Sequence, residues 1–341
     1  TQREILFAIM ALNFLLLGLY GFINHIITGS SKVLWAPAYE LYLSEGRASG
    51  SYYCPNHFSG CMELALAVAF AFIFPWKNKS FFRFSGLALT VTSIAGIIIS
   101  KSRGGFITLI FICIAVIIFG FNTWPRKIRA IARILSLLVF FSVIIIFCTT
   151  DNAFMRRFRI YVPYNDLKGK PFTEVKEKLI NRIEMTSRAR MITAALRAWR
   201  ETEKTQLWGI GPGMHQNIWP HIAPTPDGDK IKKIWPRLPN FDFHSYWVHS
   251  DWVQLLEEYG IIGFLLFLIP VFTIFYFLQP YSSISAEKEI NSFTHTLCLA
   301  GILAWTAMFI HSFGDFNLQI PANAWLLTAL LAIPLGQLHT R

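Results

Sequence analysis

The sequence predicts an all-α polytopic membrane protein, and three observations carry that reading. Apolar residues make up 54% of the 341 and charged residues only 15%, with a mean hydropathy of +0.44, beyond what ordinary soluble domains show. The apolar residues fall in blocks near the ~18–20 residues that cross ~30 Å of hydrocarbon. Lys and Arg gather instead in short connections and in one long one.

Eight blocks qualify: Ile5–Thr28, His57–Pro75, Phe82–Ser100, Gly104–Phe121, Ile128–Thr149, Asp251–Leu278, Asn291–Phe313 and Pro321–Leu338. The second is interrupted by Glu63, and the seventh contains His295 and His311. The expected organisation is a five-span bundle over 1–150, a large basic loop over 151–250, and a three-span bundle over 251–341. The first block is too long and too aromatic for a signal-peptide core and lacks a small-residue cleavage site. The chain starts Thr1-Gln2-Arg3-Glu4, which reads as a processed N-terminus or as part of a longer protein. The five cysteines show no CxxC or Cys/His spacing, so neither a structural metal nor a disulfide framework is expected; a Cys54–Cys61 bridge is the single pairing considered.

Lys77, Lys79 and Arg83 follow the second block, and Arg126, Lys127, Arg129 and Arg133 follow the fourth. Short loops with excess Lys and Arg are cytoplasmic. Alternation then puts 29–56, 100–105 and 151–250 outside, with 279–290 and both termini inside. The long loop holds seventeen Lys and Arg against ten Asp and Glu, most of the chain's net +11. Much of this is solvated surface, yet a cationic domain just outside a membrane suits a phosphate-bearing partner or anionic headgroups.

Within the loop, Thr173 can N-cap a short helix with Val175, Leu179 and Ile183 on one face. A second helix is expected from Ser187 as N-cap to about Lys204, its apolar stripe formed by Ile192, Ala195, Leu196 and Trp199. Arg188 falls on that stripe, while Arg190 and Arg197 fall opposite. Either Arg188 snorkels along apolar surface or it points into a site. Trp208-Gly209-Ile210-Gly211-Pro212-Gly213 follows; Gly209, Gly211 and Gly213 let the backbone approach a ligand closely. The segments 223–228 and 236–239 read as irregular coil.

The loop ends at Val248-His249-Ser250-Asp251, with Ser250 as N-cap of the sixth span. The positive helix end disfavours an imidazolium at His249, leaves the ring able to accept a proton, and attracts anions. The alternative is a capping or interfacial histidine. His215, His221 and His244 are irregularly spaced and no HExxH occurs, so no metal is expected. Arg103 sits in Ser100-Lys101-Ser102-Arg103-Gly104-Gly105, a tight turn between two spans on the outer side. An ionisable group at membrane depth marks function, although headgroup binding also explains it.

Taken in order, these stretches resemble the O-antigen ligase and polymerase superfamily of bacterial envelope glycosyltransferases. Arg47–Gly50 with Pro55-Asn56-His57 is similar to the family's glycine…Pro-Asn start of a membrane helix, and Ser102-Arg103-Gly104 to its Ser-Arg-Gly turn. Ser187-Arg188 through Ala194-Ala195-Leu196 to Gly209–Gly213 resembles the Arg-led helix that ends in GxGxG. His249-Ser250-Asp251 through Leu255-Leu256 to Gly260 and Gly263 resembles the family's His-Asn/Ser-Asp helix start, and His311–Phe316 with Pro321 its C-terminal pattern. Ile192 stands where the family carries tryptophan, and Leu207-Trp208 replaces a proline before GxGxG. Members have about twelve spans, so the resemblance implies four more before Thr1.

The resemblance implies transfer of a glycan from an undecaprenyl-diphosphate carrier to an acceptor hydroxyl, without metal or other cofactor, at the periplasmic face of the bacterial inner membrane. It assigns Arg103 and Arg188 to the diphosphate, His249 to acceptor activation, and Gly209, Gly211, Gly213, His311 and Asp315 to substrate binding. The acceptor is lipid A core for a ligase, a repeat unit for a polymerase, or Ser/Thr for a protein glycosyltransferase; ligase is the first choice by prevalence. Membrane lipids are the other partners, and no nucleic acid is expected. From a different class, a lipid-linked-glycan transporter is the alternative, although inverted repeats are not evident. The active site is expected at the seam between loop and membrane.

Overall fold

The structure, a computed structural model, describes residues 2–34, 36–37, 46–75, 80–149, 171, 173–176, 186–222, 246–283 and 292–339. All eight apolar blocks are helical within it: α1 (Gln2–Thr28), α2 (Pro55–Ile73), α3 (Ser80–Ser100), α4 (Arg103–Ala115, running on as a π-turn over Val116–Gly120), α5 (Arg126–Thr149), α9 (Asp251–Ser283), α10 (Ser292–His311) and α11 (Pro321–His339). Among the described residues, the shorter helices between the fifth and sixth include α6 (Ser187–Arg200), α7 (Glu203–Trp208) and α8 (His215–Ile222). A two-residue antiparallel pairing of Lys32–Val33 with Ala36–Pro37 is the β-structure among the described residues. The protein is therefore an all-α polytopic membrane protein.

Among the described residues, six helices are long and apolar enough to cross a membrane: α1, α2, α3, α4 with its π-turn, α9 and α10. Of the other two expected spans, α5 is a 24-residue helix with several side chains outside the description, and the apolar stretch of α11, Pro321–Gly336, is shorter than a span. Leu179, Ile183 and His244 lie outside the described residues. Residues 173–176 form one helical turn in which Glu174 and Val175 N–H donate to Pro171 O, so Thr173 lies inside the turn instead of capping it. Cys54 and Cys61 are both thiols, so no bridge joins them.

The chain forms two compact units. One comprises Thr1–Phe158, Val271–His311 and Asn317–Arg341; the other comprises Arg159–Pro270 and Ser312–Phe316. The loop unit thus takes in the first part of α9 and the five-residue turn after α10.

In the first unit α2 is the central helix, buried over 89% of its span. Pro55 opens it, where a missing N–H costs nothing, and Ser59, Gly60, Ala65, Ala67, Ala69 and Ala71 let neighbours approach closely. It packs on α3 and α10, with α1 against α3 and α11 against α10. By contrast α1 and α3 bury 28% of their spans and leave Ile5, Ile9, Leu16, Phe84 and Val91 exposed, as lipid-facing helices do. Some charged residues of the connections are spent on backbone. Arg133 donates to Ile117 O at 3.0 Å and Ile118 O at 2.6 Å, carbonyls of the π-turn. Arg47 is buried, with Nε on Ser100 O at 2.9 Å and Nη2 on Asn56 Oδ1 at 2.5 Å.

The residues that weakened the second and seventh blocks pair with each other. His311 Nδ1 lies 2.8 Å from Glu63 Oε1, both side chains fully buried, and Ser59 Oγ donates to Glu63 Oε1 at 3.0 Å. A buried carboxylate at membrane depth needs such partners. The Ser102–Gly105 turn is pressed onto this group. Ser102 caps α4 by accepting from Gly105 N–H at 3.2 Å, and a Cβ on Gly105 would meet Ser59 Oγ and, at 3.0 Å, Glu63 Oε1.

Gly105→Ala should therefore lower stability by roughly 1–3 kcal/mol through overpacking, read as a lowered Tm of the detergent-solubilised protein. Gly336→Ala, whose Cβ would find Arg3 Nη2 at 3.7 Å, is the control and should melt like the parent; equal melting of both variants would contradict this packing.

Candidate functional site

The second unit carries the polar cluster. Its first part is α6. Thr186, one residue earlier than expected, is the N-cap and accepts from Ala189 N–H at 3.2 Å. The helix stops at Arg200 because Thr202 and Thr205 form a capping box that starts α7. The buried stripe is Met191, Ala194, Ala195 and Ala198, with Ile192, Leu196 and Trp199 only half-buried. Close packing of Trp219 from α8 against Met191 and Ala194 requires small side chains there, and this decides the buried side over size. Arg188 stands three residues before Met191 and seven before Ala195, so it shares the buried stripe.

Arg188 reaches the turn after α10. Nη1 donates to Gly314 O at 2.6 Å and Nη2 to Asp315 Oδ2 at 3.0 Å. Asp315 is 1% exposed and Arg188 29%. The other oxygen of the same carboxylate, Oδ1, accepts from Phe316 N–H at 3.0 Å and lies 3.5 Å from His249 Nδ1. That last approach is within ion-pair range but is not a formed hydrogen bond, a looseness common in sites without substrate. One carboxylate thus gathers Arg188 and His249.

His249 itself is strained, at φ 59 for a non-glycine residue. Its neighbours hold it there. Val248 N–H donates to Gln254 Oε1 at 3.1 Å, and Ser250 Oγ donates to Ser312 O at 3.2 Å while accepting from Val253 N–H at 3.4 Å as the cap of α9. Asp251 N–H bonds Ser312 O and Asp315 O at 3.0 and 3.1 Å, so this donor of the helix end, expected to attract an anion, faces protein carbonyls.

The glycine stretch serves a different contact from the one expected. Gly260, at φ 65 and ψ −174, breaks α9 after Tyr259 and orphans the last carbonyls of the segment 251–259. Ile210 N–H donates to Glu257 O at 2.9 Å and Gly211 N–H to Glu258 O at 3.0 Å, while Gly213 N–H donates to Glu258 carboxylate at 3.0 Å. A Cβ on Gly209 would strike the Glu258 carbonyl, and one on Gly260 the Leu207 carbonyl. These glycines bring two backbones together. Behind them, Gln254 Nε2 bonds Glu258 Oε1 at 3.0 Å, and His215 Nδ1 lies 2.8 Å from Glu257 Oε2 with both side chains at most 1% exposed.

The sequence expectation gives no role to Gln254, to Glu258 or to Glu257, the partner of His215. The signal was present: three polar side chains just before Gly260 in an otherwise apolar block. Arg103 and His311 belong to the other unit, where Arg103 is the first residue of α4 and His311 packs on Gly104. The His221 side chain and His244 lie outside the described residues.

Gly260→Ala should cost about 2 kcal/mol or more, from left-handed strain and backbone collision together. Gly213→Ala, at φ 68 with open space around its Cβ, should cost only about 1 kcal/mol of strain. Thermal melting of the two variants checks this, and the account fails if Gly213→Ala proves the more damaging.

Comparison with curated proteins gives no significant match. A sequence profile described as O-antigen ligase matches residues 87–268, more than half of the chain. That stretch contains Arg103, Arg188, the glycine turn and His249 and ends before His311 and Asp315, so the chain with this membrane bundle and this Arg–Asp–His cluster belongs to the O-antigen ligase family.

Proposed function

We infer that the protein acts as its family does, as a membrane-embedded, glycosyltransferase-like enzyme. We propose that it moves a glycan from an undecaprenyl-diphosphate carrier to an acceptor hydroxyl at the periplasmic face of the inner membrane, and that it is a ligase acting on lipid A core. The observation that carries this reading is the sharing of Asp315 by Arg188 and His249.

The roles follow from chemistry. Asp315, 3.5 Å from Nδ1, is placed to orient His249 once that contact tightens on substrate, which leaves Nε2 to take the proton of the acceptor hydroxyl. The acceptor oxygen forms the new bond to the anomeric carbon as the anomeric carbon–oxygen bond to the diphosphate breaks. Both electrons of that bond leave with the diphosphate, where negative charge grows. Arg188 meets that charge with a planar array of N–H donors, two of which Gly314 and Asp315 already fix in direction. No metal is required for this sequence of events. Arg103 is a second candidate for phosphate binding, at the start of α4 in the membrane unit, and is tested by its own variant.

In membranes supplied with lipid-linked glycan and acceptor, His249→Ala should lower transfer by about 10²–10⁴-fold. Arg188→Ala and Arg103→Ala should lose transfer as well, and Arg188→Lys should not restore it, since a point charge does not replace the fork. All variants should insert at normal levels. Near-normal transfer by any of the alanine variants removes that residue's role, and glycan flux without a covalent product identifies a transporter instead.

A further inference from the structure

A chain of polar contacts runs from the glycine stretch to the backbone beside His249, and no step of the proposed transfer uses it. Gly213 N–H donates to one carboxylate oxygen of Glu258 at 3.0 Å. The other oxygen accepts from Gln254 Nε2 at 3.0 Å, one helical turn earlier on the same face. Gln254 Oε1 in turn accepts from Val248 N–H at 3.1 Å. Val248, Gln254 and Glu258 are all buried, where a polar atom that loses its partner is costly.

We propose that Gln254, oriented by Glu258, is a positioning residue that holds His249 in its working direction; this rests on the transfer reaction proposed above. The three groups permit one arrangement. Val248 N–H can only donate, and a carboxylate accepts through both oxygens. The amide between them therefore turns its oxygen to Val248 and its nitrogen to Glu258. Glu258 is itself fixed, since its backbone carbonyl accepts from Gly211 N–H at 3.0 Å as well.

His249 needs such a hold. Its φ of 59 is unfavourable for a residue with a Cβ and persists only where the surroundings fix it. After it, Ser250 is tied to Ser312 O and Val253 N–H; before it, Val248 is tied to Gln254. Fixing both flanks keeps the ring beside Asp315 and edge-on to Phe316, centroids 4.8 Å apart. A base gains from this, because a misplacement of about 1 Å costs on the order of 10²-fold in rate. Gln254 acts through the histidine backbone, so its loss should appear in kcat.

Exchange of the two side chains tests this. Gln254→Leu removes both of its hydrogen bonds, and Gln254→Glu alone sets two carboxylates against each other. Gln254→Glu combined with Glu258→Gln restores all three bonds. A carboxylate at 254 accepts from Val248 N–H and from the new amide at 258, whose oxygen accepts from Gly213 N–H. In transfer assays at matched membrane levels, each single change at 254 should lower kcat about tenfold or more, with KM for the lipid-linked donor unchanged. The exchanged double variant should recover to within about threefold of wild type. A second readout is amide hydrogen exchange over 246–250 in the full detergent-solubilised chain, faster in both single variants and protected again in the double. Wild-type kcat in Gln254→Leu, or a double variant no better than Gln254→Glu, overturns the proposal. If protection is lost and restored in this order yet wild type transfers no glycan, the hold on His249 stands and the transfer reading alone falls.

Discussion

A carboxylate at 1% exposure cannot be left without compensation, and the second unit is arranged around that requirement. Asp315 lies in a five-residue turn after α10, and each of its oxygens is given a partner. An unpaired buried charge is far more costly than the pair is favourable, so the need of Asp315 fixes where Arg188 and, at longer range, His249 come to rest. The arginine is pointed there by helical periodicity from the Met191–Ala198 stripe, and the histidine by a strained backbone held through Gln254 and Ser250. Charge compensation and site assembly are one event in this fold.

The short segment 251–259 carries that order further. Its N-terminal end holds Ser250 and Asp251 against the Ser312–Phe316 turn. Its C-terminal end, cut by Gly260, offers carbonyls to the glycine stretch. Nine residues of rigid helix therefore link the register of the glycine turn to the placement of His249.

Hydropathy and loop chemistry made much of this legible. All eight apolar blocks are helices because helix formation in a membrane is dictated locally: backbone groups must be satisfied within the segment. The Ser250 cap and the side of α6 that bears Arg188 could be read for similar reasons of short-range geometry. What escaped was long-range. Asp315 was one residue of a C-terminal pattern, and nothing local shows that a residue 127 positions away completes its ion pair. Glu63 read as a flaw in a span until its partner His311 stood beside it. The buried stripe of α6 departs from its hydrophobic pattern because tight packing against Trp219 favours alanine, while the pattern favours size. Of the three glycines expected at a ligand, the missing Cβ of Gly209 serves the backbone of a broken helix, while the Cβ position of Gly213 faces open space.

The account turns on Arg188 and Asp315 acting as a unit, and a double-mutant cycle on glycan transfer tests that most directly. Arg188→Ala, Asp315→Asn and the combined variant are compared with wild type at matched membrane levels. Residues that act together are strongly non-additive, so the double variant should transfer within about threefold of the worse single. Losses that multiply, with the double variant falling by the product of the two single effects, would mean that the arginine and the aspartate work independently and that the cluster is not organised by Asp315.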